Sequence, residues 1–186
     1  MTNSKRVREK AQGPDMGVRR VERYTAAFDW VIACLDTGHF LEAVAVLDSL
    51  IGDRLASRFS YLRKEQPLES MTVGDLCGAL LNGSTKKSNP AIEEDPQFRA
   101  VIEDIQAWSK VRNIAIHATA KIFGNDDPAI SFADGLTVHR DTAVQGVRLL
   151  QQFDLLDTAA RAAQDRVPGT YPNAFFPDNS PRWPRR

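Results

Sequence analysis

Only two cysteines, Cys34 and Cys77, occur in the 186 residues, and they lie far apart within apolar segments. A disulfide-dense scaffold is therefore excluded, and buried free thiols of a reducing compartment are expected instead of a bridge. No stretch approaches the roughly 18 apolar residues that a membrane helix needs. The basic residues near the N-terminus are not followed by the apolar run of a secretory signal. The expectation is a soluble protein of the cytoplasm with no membrane partner. Net charge is lacking as well, because 24 Lys and Arg balance 24 Asp and Glu. The molecule as a whole has no strong field. Its ends are less neutral: Lys5, Arg6, Arg8, Lys10, Arg19 and Arg20 face only Glu9 and Asp15, and Arg182, Arg185 and Arg186 face Asp178. Such termini suit either solvated arms or contact with phosphate backbones and acidic partners.

Several chemistries are missing too. His39, His117 and His139 are dispersed, and no Cys or His pair has zinc-ligand spacing, so no metal and no cofactor is expected. Neither G-x-x-x-x-G-K-[ST] nor G-x-G-x-x-G occurs. The run from Asn82 to Lys87 resembles a phosphate loop only superficially, lacking the first glycine and the order of residues. A G-x-S-x-G nucleophile elbow is also absent.

What is present is helical periodicity. A chain with 42% hydrophobic and 26% charged residues has an ordinary globular profile and the size of one domain with tails. Residues 1–20 read as a flexible basic arm containing Gly13, Pro14 and Gly17. Tyr24, Phe28, Val31 and Leu35 then recur on one helical face over Val21 to Thr37, and Gly38 stops it. Phe40, Val44, Leu47, Ile51, Leu55, Phe59 and Leu62 keep the period up to Pro67, with Glu42, Asp48, Asp53, Arg54 and Lys64 mostly elsewhere around the wheel. Thr72 suits the cap of a short helix through Leu81. The polar stretch from Ser84 to Asp95 precedes a long helix from Pro96 to Gly124. Asp134-Gly135 signals a very small β-hairpin within residues 129–138. A last helix spans Arg140 to Asp165, and the tail from Pro168 is too rich in proline for helix. The expectation is an all-α, up-and-down bundle of four to five helices over residues 21–166, with a Pro- and aromatic-rich tail over 167–186.

One segment concentrates chemistry. On the long helix, Lys110, Asn113, His117 and Lys121 recur at helical steps and form a polar face, which Arg112 borders. Val111, Ile114, Ala115, Ala118 and Ile122 are expected to pack on the opposite side. An imidazole can move protons near neutral pH, and a guanidinium can hold a phosphate and stabilise developing charge. The plainer alternative is an Arg112 paired with a core carboxylate and a His117 that is only a surface residue.

Arg112-Asn113-Ile114-Ala115-Ile116-His117 resembles the R-x4-H signature of HEPN domains, helical ribonucleases of prokaryotic toxin and antiviral systems. The long amphipathic helix from Gly38 to Ile51 is also similar to that family. The resemblance implies a homodimer in which two motif helices share a cleft. It also implies metal-independent endoribonuclease activity, leaving a 2′,3′-cyclic phosphate and a 5′-hydroxyl. Arg112 would stabilise the phosphorane, His117 would be the general acid or base, and Asn113 would help orient the phosphate or the catalytic pair. Lys110 and Lys121 would contact RNA, and an antitoxin or regulatory protein would be a further partner. Some members carry a Tyr two residues beyond the His that a nucleotidyltransferase modifies; here that residue is Thr119, a departure from that mechanism. The mannitol-operon repressor family has a similar R-N-x-x-x-H segment and implies instead a non-catalytic regulatory or nucleotide- or partner-binding dimer.

Overall fold

The computed structural model describes residues 6–9, 13, 15–83, 91–118, 136–137 and 139–164, with His117 and Ala118 described by backbone alone. Among the described residues five helices carry the fold: α1 (Met16–Thr37), α2 (Phe40–Arg63), α3 (Val73–Asn82), α4 (Pro96–Ala118) and α5 (His139–Ala162). Among the described residues there is no strand, only a single antiparallel bridge between Val7 and Leu68. The protein is all-α. None of its described helices is long and apolar enough to cross a membrane.

Local sequence explains most boundaries. Gly38 ends α1 in the left-handed region at φ 81°, where its N–H donates to the carbonyl of Cys34. At the start of α3, the Asp75 N–H donates to Thr72 Oγ1 over 3.2 Å while the Thr72 N–H donates to Asp75 Oδ2 over 3.0 Å. This reciprocal pair satisfies two N–H groups that the first turn would otherwise leave open. The start of α1 differs from expectation. It lies at Met16, inside the segment expected as an arm, because Arg19 and Arg20 are good helix formers and one Gly17 costs only about 1 kcal/mol. Ahead of it, Arg6 to Glu9 form a strap: the Arg8 N–H donates to the Pro67 carbonyl (2.9 Å) and the Glu69 N–H to the Arg6 carbonyl (3.0 Å). The expected hairpin lies outside the described residues except for Leu136 and Thr137, which are helical. The tail from residue 165 onward also lies outside them.

α1, α2, α4 and α5 alternate in direction, and α3 is inserted in the connection between α2 and α4. α2 packs against all four other helices. Its residues Leu47, Ile51 and Leu55 meet Ile102, Ile105, Val147 and Phe153 in one continuous core. Trp108 is wholly buried there, and its indole N–H donates to the Thr142 carbonyl over 2.8 Å. α5 can approach α4 this closely because position 146 is glycine. A Cβ there would lie 2.9 Å from Trp108 Cζ2 and 3.1 Å from Leu47 Cδ1.

Candidate active site on the fourth helix

The buried stripe of α4 runs Phe98, Val101, Ile102, Ile105, Trp108, Ser109, Arg112 and Ala115. Arg112 is thus a core-facing residue, 8% exposed. Helical phase explains this placement. At about 100° per residue, position 112 returns almost in line with Ile105, whereas position 114 falls half a turn away. The expectation that Val111 and Ile114 pack inward is corrected accordingly. Val111 is 48%, Ile114 64% and Ile116 38% exposed, and of that expected set Ala115 is buried. Lys110 and Asn113 are exposed, as a polar face requires. The backbone of His117 continues α4 beyond Asn113, and Lys121 lies outside the described residues.

The Arg112 guanidinium has two partners. Its Nη1 donates to Asn113 Oδ1 over 2.7 Å, and its Nη2 pairs with Asp48 Oδ1 on α2. Its Nε is buried and has no hydrogen-bond partner among the described residues. Burial raises the Asp48 carboxyl above its ordinary range, while the charge and hydrogen bond of Arg112 oppose that rise. Sequence reasoning placed Asp48 off the apolar face of its helix and missed this partnership. The signal that could have found it is position: Asp48 directly follows the core residue Leu47, on the border of the buried stripe.

A second charged cluster was also missed. Arg58 of α2 grips Glu93 with two parallel bonds, Nε to Oε2 at 2.7 Å and Nη2 to Oε1 at 3.0 Å. Its guanidinium lies 3.7 Å from the centroid of the Phe98 ring. Asp157, completely buried, accepts from Arg161 Nε (2.8 Å) and Arg54 Nη2 (3.3 Å), and Arg54 also pairs with Asp154. The three cations and three carboxylates close on one another. They tie α2 and α5 to the segment before α4, and they leave no charge over for a ligand.

The other reactive groups are quiet. Burial raises the Cys34 thiol, helped by its contact with Glu42, and pushes Cys77 up to about 12. Neither is a nucleophile at neutral pH. His39 precedes α2 and shares a 2.9 Å contact with Thr37 Oγ1, and burial lowers His139 below its ordinary value. Among the described residues no group of three or more His, Cys, Asp or Glu side chains could hold a metal ion. Comparison with family models, curated proteins and solved structures finds no match to this chain.

Proposed function

We propose that this protein is a metal-independent endoribonuclease of the HEPN type, a toxin or antiviral effector acting as a homodimer on RNA. The observation that supports it best is the setting of Arg112. Its guanidinium bonds Asn113, keeps a buried Nε unpartnered among the described residues, and lies five positions before His117 on the same helix. The neighbouring Val111, Ile114 and Ile116 are exposed, which suits a second copy closing over this surface.

In this reading the 2′-hydroxyl of RNA attacks the adjacent phosphorus, and the bond to the 5′-oxygen breaks. The 2′-proton passes to one His117, and the His117 of the second copy donates a proton to the leaving 5′-oxygen. Arg112 holds the non-bridging oxygens through donors that Asp48 and Asn113 do not use. Asp48 holds the guanidinium in place from α2. The nucleophile is already tethered to its target, so orientation and proton transfer supply the acceleration without an ion.

A non-catalytic regulatory dimer is the second reading, and the burial of Arg112 against Asp48 favours it, since such a pair is also a structural tie. Incubating the purified chain with total RNA in EDTA, beside His117→Ala, separates the two. The ribonuclease reading expects cleavage that falls about 10²-fold or more in the variant, the scale of a lost acid–base group, at unchanged melting temperature. Intact RNA, or full cleavage by His117→Ala, transfers the lead to the regulatory dimer.

A further inference from the structure

We propose that the cleft between the N-terminal half of α1, the middle of α2 and the Pro67–Met71 return binds an amphipathic anion, an aliphatic chain ending in a carboxylate or phosphate. This site is independent of the Arg112 reading. Ser49 lines the cleft, whereas its neighbour Asp48 points to Arg112.

The cleft encloses about 830 Å³, within the usual range for small-molecule sites. Its floor is formed by Ala27, Val46, Leu50, Met71 and Leu76, with Tyr24 the aromatic member. An aliphatic surface of this kind gains from covering an alkyl chain and offers little stacking to a nucleobase. Arg19, Arg20 and Arg23 of α1 line the same cleft. Arg8 and Arg6 of the strap pair with Asp53 and Glu69, but among the described residues none of the three α1 arginines forms an ion pair. Positive charge therefore stands uncompensated over an apolar floor. Two further observations agree. The proton affinity of Arg8 is lowered, first by burial and then by the charge of Arg20, so these guanidiniums already repel each other. The first turn of α1, where Met16 enters the lining, has no acidic residue and no side-chain cap. The Met16 N–H is taken by the Gly13 carbonyl (3.3 Å) and Asp15 precedes the turn, so the helix dipole adds only modestly to the field that an anion would neutralise.

Titration calorimetry on the full chain tests the assignment, with dodecanoate and dodecyl phosphate below their micellar concentrations. Both should saturate at one per chain, and their relative affinities identify the preferred head. Butyrate and inorganic phosphate lack the chain, and dodecanol lacks the charge, so each should bind at least about tenfold more weakly. Arg20→Ala/Arg23→Ala should weaken dodecanoate by about tenfold or more, the scale of a lost charge-assisted hydrogen bond. Ala27→Trp should block the floor, and both variants should keep the wild-type melting temperature. The proposal is overturned if wild type binds neither long-chain anion, if dodecanol binds equally well, or if AMP binds more tightly than dodecanoate. Undiminished binding by folded Arg20→Ala/Arg23→Ala overturns it too.

Discussion

Two of the arginine–carboxylate contacts of α2 share a chemistry and differ in character. Toward its C-terminus, Arg58 meets Glu93 and the neighbourhood of Asp157, and every charge is enclosed: Arg58 is 5%, Glu93 1% and Asp157 0% exposed. Two turns or more earlier, Asp48 meets Arg112, with the Asp48 side chain 30% exposed and Arg112 Nε lacking a partner among the described residues. The first site is sealed from water and holds helices together, although Arg54 Nε and Asp157 Oδ1 have no hydrogen-bond partner among the described residues. The second leaves the buried Arg112 Nε unpartnered among the described residues, beside a carboxylate that water reaches. Buried guanidinium is therefore not by itself a sign of function or of structure. What distinguishes the two is exposure of the carboxylate, since Asp48 meets solvent whereas Glu93 and Asp157 do not.

The largest effect is expected at the closed site. Arg58→Ala leaves Glu93 buried without its cation and should cost about 3–5 kcal/mol in chemical denaturation. Arg58→Met combined with Glu93→Leu should recover most of that loss, because an apolar pair of similar volume needs no compensation. If the double variant is no better than Arg58→Ala, the network does more than neutralise itself. Next in size is Gly146→Ala, which drives a methyl group against Trp108 and Leu47 and should cost about 1–3 kcal/mol. Its measured signature should include a changed Trp108 fluorescence. The open site should respond less. Arg112→Ala should cost about 1–2 kcal/mol, since water reaches Asp48 and can replace part of what the guanidinium supplied.

The pH dependence of that third variant sharpens the contrast. Asp48 has its carboxyl raised in the fold, so its contribution is most favourable in acid and is lost as pH rises through the raised value. Removing Arg112 takes away the opposing charge. The Arg112→Ala deficit should accordingly be largest near neutrality and shrink as pH falls toward the ordinary carboxylate range of about 4. A deficit that grows on acidification would mean that Arg112 is held by something other than Asp48.

The helices were legible because apolar spacing, Gly38, Thr72 and Pro96 are local signals, and each ended or began an element within a few residues of the expected place. The start of α1 was not, because its first turns are basic and only partly covered, so no periodic apolar residue marks them. That Lys110, Arg112, Asn113 and the backbone of His117 share one helix was legible from their spacing. Their surroundings were not. Asp48 and Arg112 are 64 positions apart, and only the packing of α2 on α4 brings them together. Glu93 shows the same limit more sharply. It sits in a stretch that reads as a polar loop, yet it is fully buried because Arg58 comes to it across 35 positions. Val111 and Ile114 were misassigned for a different reason: apolarity was taken as inwardness, although their phase sets them off the stripe that Ile105 and Trp108 define.

The smallest stability effect, and the most informative one, belongs to Ile114→Ser. At 64% exposure Ile114 contributes little to the fold of a single chain, so the change in unfolding free energy should stay within about 0.5 kcal/mol. If the surface around it is where a second copy docks, the same substitution should shift sedimentation from dimer to monomer at micromolar concentration. Loss of an apolar anchor at the centre of a symmetric patch is felt twice, once from each side of the two-fold axis. RNA cleavage should fall with the dimer and return as protein concentration is raised, which a damaged fold or a damaged acid–base group would not reproduce. A dimer that survives Ile114→Ser, with Val111→Ser added, would place the interface elsewhere and detach Arg112 from any composite cleft.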